Sequence, residues 1–295
     1  MKLFPALTST LVLVAGVIAT AHAQTDSPLD ARVRAEVAQF KGKVSLFARN
    51  LETGASYSFG GDNRVRTAST IKVAIMVEAF ARVAERKAKW NDELVLIDPK
   101  KVPGSGVLQE LSEGLRLTLR DAVTLMMIVS DNTATNLVLD VLTTDAVNAR
   151  MDLLGLKQTR VLRKIGSGGT SRAGEDPVLK PFGTGVTTPH EMATLVEKLE
   201  RGEIISPAAS KEMIALMKRE QHRDGIGRAI ADEMATKAGA LDRLRSDVGI
   251  IYSKRGRIVM AITCDDMPDI VWTGENPGYL MLSRLSQILI EGLGK

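Results

Sequence analysis

Ser69-Thr70-Ile71-Lys72 opens a helical run that extends to Ala84, and its first and fourth residues decide how the chain reads. Residues three apart share a helix face, so the Ser69 hydroxyl and the Lys72 amine stand close together. A serine hydroxyl is a weak nucleophile until a neighbouring base takes its proton, and that pairing supplies one. Two further strings follow, Ser130-Asp131-Asn132 and Lys237-Ala238-Gly239. Each is a weak signal by itself; their order along one chain is what carries weight.

Working outward, Leu29 to Phe40 reads as a helix with Val33, Val37 and Phe40 on one stripe. Val44 to Arg49 and Ser56 to Phe59 read as strands joined through Glu52-Thr53-Gly54. Leu119 to Leu142 reads as a single helix that continues through Asp131 to Asn136 without a breaker. The stretch 163–187 holds six glycines and two prolines and reads as a long ordered loop. Thr188-Pro189-His190-Glu191 then starts a helix, with Thr188 as cap and Glu191 completing a capping box. Strands at about 234–240, 246–253 and 257–264 and a helix at about 279–292 finish the chain. Strands at both ends with helices between them predict an α+β fold, an antiparallel sheet flanked by helices with an all-α lobe inserted. The α/β lobe takes about 24–65 and 210–295 and the helical lobe about 66–209, and Ser69, Ser130 and Lys237 share a cleft if the lobes meet there.

Composition narrows the function. Lys2, an apolar run from Leu3 to Ala19 and Ala21-His22-Ala23 form a secretory signal, cleaved after Ala23, ahead of a domain over 24–295. That predicts a periplasmic or secreted protein without a stable membrane anchor, because the run is short for a span and contains Pro5. A net charge of +4 is modest, and the clusters Lys218-Arg219 and Arg160 to Lys164 lack interleaved aromatics, which argues against nucleic acid. The single Cys264 has no disulfide partner and lies in an apolar strand as a small core residue. After signal cleavage only His190 and His222 remain, neither at metal-ligand spacing, so no metal or other cofactor is expected. Gly166-Ser167-Gly168-Gly169 lacks the Lys-Ser/Thr of a phosphate loop. A monomer acting on a small-molecule substrate is the expectation.

The motifs together resemble the class A β-lactamases, within the penicillin-binding serine hydrolases. The resemblance runs through Ala68-Ser69-Thr70-Ile71-Lys72-Val73, Gly104-Ser105-Gly106-Val107-Leu108 and Ser130-Asp131-Asn132-Thr133-Ala134-Thr135-Asn136. It continues through Thr187-Thr188-Pro189, Lys237-Ala238-Gly239 and Ser246-Asp247-Val248-Gly249-Ile250-Ile251. It implies that Ser69 attacks a lactam carbonyl to give an acyl-enzyme and that Lys72 receives its proton, directly or through a neighbour. A basic Lys72 requires its pKa to be depressed by burial or by Lys237. The resemblance further implies that Ser130 relays a proton to the departing nitrogen and that Asn132 binds the substrate amide. Lys237 would set positive charge near the substrate carboxylate and Ser130, beside Gly239, while the N–H groups of Ser69 and Ala240 form the oxyanion hole. For Asp131 and Asn136 a structural hydrogen-bonding role is the expectation.

Two departures qualify this. Related enzymes carry Thr or Ser where Ala238 stands, a hydroxyl that binds the substrate carboxylate; Arg243 or Arg245 would have to compensate. The resemblance also implies a loop Glu, followed by Pro and, after Leu, an Asn, that holds the deacylating water. In Glu175-Asp176-Pro177-Val178-Leu179-Lys180, Asp176 takes that place by spacing and Lys180 replaces the Asn, with Glu175 as a second candidate. An Asp is one methylene shorter, and a charged Lys accepts no hydrogen bond from water. Three outcomes stay open: a β-lactam hydrolase, a peptidase or esterase on peptidoglycan-type or ester substrates, and a penicillin-binding protein or scaffold without turnover.

Overall fold

The structure is a computed structural model that describes residues 27–166 and 168–294; the expected signal segment lies outside them. Helix α1 (Pro28–Val37) is followed by strands β1 (Lys43–Asn50), β2 (Ser56–Phe59) and β3 (Val65–Arg66). Next come α2 (Lys72–Ala84), the hairpin β4 (Glu93–Val95) and β5 (Arg116–Thr118), then α3 (Leu119–Ile128), α4 (Asn132–Leu142) and α5 (Thr144–Leu153). Strands β6 (Arg160–Val161) and β7 (Gly185–Thr187) bracket the long loop, and α6 (Pro189–Glu200) and α7 (Pro207–Lys218) follow. Strands β8 (Met234–Leu241), β9 (Leu244–Ser253) and β10 (Gly256–Asp265) and helix α8 (Pro277–Leu293) complete the chain.

The main sheet runs β2-β1-β10-β9-β8, with antiparallel pairing throughout. The first two strands therefore pair with the last three, so the chain ends build one sheet around everything between them. Alternation along each strand assigns two cores. Ile258, Met260, Ile262 and Cys264 of β10 pack with Leu29, Val33, Leu285 and Leu289 of α1 and α8. Val259 and Ala261 face the other way, into a core shared with α2, α3, α4, α6 and α7. Cys264 is fully buried as a small core residue, its thiol pushed up by burial. Helix α6 lies on the second face, where Glu197 pairs with Arg49 of β1 at 3.0 Å.

Helix α2 runs through the middle, and ten of its thirteen residues are buried, Lys72 through Ala81. A helix apolar nearly all round belongs in a core. Its start differs from the sequence expectation. Ala68–Ile71 form a 3-10 turn and the α-helix begins only at Lys72. The helix read over Leu119 to Leu142 is two helices. The capping box Thr118–Asp121 opens α3, but the chain turns left-handed at Ser130, φ +55°, and Asp131 caps α4 by accepting from the Ala134 N–H at 2.8 Å. Asp131 competes with the helical backbone for hydrogen bonds and wins, because its second oxygen also takes the N–H groups of Val107 and Leu108 at 2.7 and 2.9 Å. No helix among the described residues is long and apolar enough to cross a membrane.

Candidate active site

The 3-10 turn sets the first pair. Ala68 adopts φ +47°, unusual for a side chain with Cβ, and the Lys72 N–H closes the turn on the Ser69 carbonyl. Residues three apart eclipse in such a turn, so Ser69 and Lys72 stand at its two ends on one side. Ser69 is half-buried and lines a cleft of about 610 Å³ between the helices and β8.

Lys72 is wholly buried. Its Nζ donates to the Ser130 carbonyl at 2.6 Å, to Ser130 Oγ at 3.1 Å and to Asn132 Oδ1 at 3.0 Å. Burial, and then the charge of Lys237, push its pKa well below the usual lysine value; Asp131 and Glu220 oppose the shift. The left-handed Ser130 brings both of its oxygens to this amine. Asn132 also donates to the Pro103 carbonyl at 3.0 Å, which fixes the segment 102–108 as one rim of the cleft. A side chain on Gly106 would run into the Asp131 carboxylate, so only glycine fits under that rim.

Strand β8 supplies the opposite wall. A Cβ on Gly239 would come within 2.8 Å of the Ser69 N and 2.9 Å of the Thr67 carbonyl. Gly239 thus lets the β8 backbone, with Ala240 next in line, approach the turn that carries Ser69. Ala238, Gly239 and Ala240 line the cleft, and Lys237 lies behind them with no exposed surface.

Sequence reasoning missed what holds Lys237 there. Glu220, just past α7 and buried, forms an ion pair with the Lys237 Nζ. Its two oxygens each accept the Ala238 N–H at 2.9 Å, and one accepts the Thr236 hydroxyl at 3.1 Å. A single acidic residue in Lys218-Arg219-Glu220-Gln221 carries no sequence signal of burial. Asp247, opposite Ala238 on β9, is buried as well. Burial and the neighbouring Glu220 raise its pKa well above the usual carboxylate range. One of its oxygens accepts from Ile226 at 3.0 Å, and the other has no partner among the described residues.

The loop expectation needs correction. Asp176 is exposed and spends its carboxylate on the Val178 N–H at 2.9 Å, a local turn. Glu175 and Lys180 line a separate cavity of about 370 Å³ with Gly174 and Gly183. The loop residues that line the cleft are Arg163, Ile165 and Thr184, and Ile165 is the one held in place by Asn136. Asn136 grips its backbone from both sides, donating to the Ile165 carbonyl at 2.9 Å and accepting its N–H at 3.0 Å. Spacing from Pro177 and Leu179 misplaced the site because the glycines at 166, 168 and 169 carry the chain away before it returns.

The two arginines do not stand in for a hydroxyl at Ala238. The Arg245 guanidinium packs against the Trp272 and Tyr279 rings, 4.7 and 4.9 Å from their centres. It donates to the carbonyls of Leu241, Leu244 and Val271. Arg243 reaches the Met267 carbonyl at 3.4 Å. Among the described residues there is no cluster of His, Cys, Asp and Glu able to hold a metal ion.

Comparison with known proteins agrees with this geometry. Curated proteins give no match. A β-lactamase from Sphaerobacter thermophilus is 30% identical, covers 90% of this chain and 96% of its own, and superposes with a TM-score of 0.79. The protein PBP-A is 26% identical over 90% of this chain and 95% of its own, TM-score 0.78. A point mutant of PBP-A, solved as an acyl-enzyme complex with penicillin-G, gives 26% identity over the same shares and a TM-score of 0.77. A model of the Beta-lactamase enzyme family matches residues 28–293, nearly everything outside the expected signal, and the chain belongs to that family.

Proposed function

We propose that the protein is an exported serine hydrolase that forms an acyl-enzyme on Ser69 with β-lactams or related acyl compounds. The observation that carries the reading is the buried Lys72 amine, its basicity shifted toward neutral pH, set between Ser130 and the turn that holds Ser69. Neutral Lys72 takes the Ser69 proton, directly or through Ser130 Oγ, as Ser69 Oγ bonds to the substrate carbonyl carbon. The N–H groups of Ser69 and Ala240 receive the developing oxyanion, an effect worth roughly 3–4 kcal/mol per donor in other enzymes. The carbon–nitrogen bond then breaks, and Ser130 passes a proton to the departing nitrogen while Lys72 returns to neutrality. Asn132, on the rim, binds the substrate amide.

A specific observation favours slow release of the acyl group. Where Asn136 presents the loop to the cleft, the residue is an isoleucine, which neither orients nor deprotonates water. The PBP-A variant captured with penicillin-G supports an acylating reading for this architecture. Benzylpenicillin is therefore expected to leave a persistent adduct by intact-protein mass, equal to the whole penicillin and absent from Ser69→Ala. An adduct on Ser69→Ala would overturn the nucleophile assignment. An adduct that forms and vanishes as penicillin is consumed would make the protein a working β-lactamase.

A further inference from the structure

A carboxylate in the cleft is held best by a charged donor. Ala238 offers only a methyl group, and Lys237 is tied to Glu220, which would be stranded in the interior if the lysine turned away. Arg245 and Arg243 are spent on backbone carbonyls, and Arg228, beside Gly274, pairs with Glu275 at 2.6 Å. Arg163 lines the cleft from the loop side, where it donates to the carbonyls of Lys164 and Gly166. Ser130, Thr273 and Tyr279 also line the cleft and bring hydroxyl donors without charge.

The segment between α7 and β8 carries one more group to this wall. Glu220 takes the Ala238 N–H at 2.9 Å, Gln221 donates its own N–H to the Ile128 carbonyl at 2.9 Å, and His222 Nε2 reaches the Val129 carbonyl at 3.4 Å. Three consecutive residues thus cross from β8 to the residue before Ser130, and His222 lines the cleft where they arrive. Asp247 takes the Ile226 N–H at 3.0 Å, so the backbone is pinned on both sides of His222. Because a carbonyl only accepts, Nε2 carries the hydrogen in its contact with Val129. The other ring nitrogen has no hydrogen-bond partner among the described residues. Such a nitrogen is an acceptor in a neutral ring and a second donor in a protonated one.

Charged groups surround the ring. Glu220 and Lys237 form their buried pair toward β8, with Asp247 opposite Ala238 on β9. The Lys72 amine stands against Ser130. Arg223 turns back to the Lys218 carbonyl at 3.3 Å, and Lys218 pairs with Glu233 at 2.9 Å. Asp224 lines the cleft two residues along, against Gly274 and close to Arg228.

We propose that His222 is the specificity residue for a substrate carboxylate: once protonated, it pairs with that anion beside Ser130, so that carboxylate-bearing acyl compounds are preferred most in mild acid. The proposal rests on Ser69 being the nucleophile.

The test compares benzylpenicillin with its methyl ester, which share one lactam ring and differ in that carboxylate. Second-order acylation rates are read by intact-protein mass, and the ratio of acid to ester is followed with pH. The ratio cancels the Lys72 limb, which both compounds share, and any distortion of the site that slows both alike. In wild type it is expected to fall about tenfold between about pH 5.5 and about pH 8, the worth of one charge-assisted hydrogen bond. His222→Ala, and His222→Gln, which keeps an N–H for the Val129 carbonyl without the charge, are expected to hold the ratio at its high-pH value throughout. A ratio in wild type that does not change with pH, or a pH-dependent ratio that survives in either variant, overturns the proposal. No adduct on wild type with either compound, or an adduct on Ser69→Ala, overturns instead the acyl-enzyme reading beneath it.

Discussion

The corner that holds Ser69 and the loop that faces it are built to opposite standards. At the corner the polar groups around the amine are tied: Lys72 makes three hydrogen bonds, Asp131 three, and Ser130 accepts a left-handed backbone to take part. Across the cleft, Asn136 fixes only the backbone of the loop and leaves an aliphatic side chain pointing in. Attack on a carbonyl needs preorganised donors and a base, the parts that the proposed function assigns to the corner. Hydrolysis of the resulting ester needs an oriented water and a base, and the loop brings no carboxylate to the cleft among the described residues. On the proposed function, the difference between the two regions favours acylation over turnover within one cleft.

The comparison breaks most sharply at Lys72. Lys72→Ala is expected to slow acylation by benzylpenicillin on the order of 10⁴-fold or more, and adding Ser69→Ala is expected to cost little further, because the two act as a unit. In wild type, stopped-flow acylation rates should rise with pH through a limb lying well below the usual lysine pKa, since protonated Lys72 cannot take a proton. A flat profile would separate the base from this amine. Gly239→Ala tests the approach of β8: a Cβ 2.8 Å from the Ser69 N forces the strand back, and a shift of about 1 Å is expected to lower acylation about a hundredfold without loss of folded circular dichroism. On the other side of the cleft, Ile165→Glu should leave acylation nearly intact and speed adduct loss by roughly a hundredfold, measured by mass after excess drug is removed.

The smallest effect concerns stability. Asp247 binds a proton in the folded state at pH values where the unfolded chain has released it. Its contribution is therefore full below the unfolded pKa, about 3.9, and is lost as pH rises through the raised folded value. Asp247→Asn keeps an acceptor for Ile226 and removes that slope. The melting temperature of the variant should match wild type in acid and exceed it at neutral pH; a parallel pair of curves would show that Asp247 is ionised in the fold.

Legibility followed the same division. Ser69 and Lys72 could be paired from spacing, because a base within reach of a nucleophile constrains both the residue types and their separation; Ser130 and Asn132 were named through the family resemblance, and the structure brings both to the Lys72 amine. The sheet was readable from alternation at the two chain ends. The break between α3 and α4 was not, since Val129-Ser130-Asp131 contains neither glycine nor proline and its turn depends on Val107 and Leu108, distant in sequence. Glu220 was invisible for a related reason: its burial is decided by β8 closing over it. The loop was misread because proline and leucine spacing was followed, whereas the anchor is Asn136, twenty-nine residues away from Ile165.

Strand β8 is the last in its sheet, and an edge strand exposes every second N–H as an invitation to another chain. Glu220 closes one of these positions by covering Ala238 with both of its oxygens. Ala240, two residues on, presents its N–H on the same side, into the cleft. Shortened in this way, the open edge is a poor template for a foreign strand. The carboxylate that holds the buried Lys237 thus also occupies a position on the sheet edge beside the cleft.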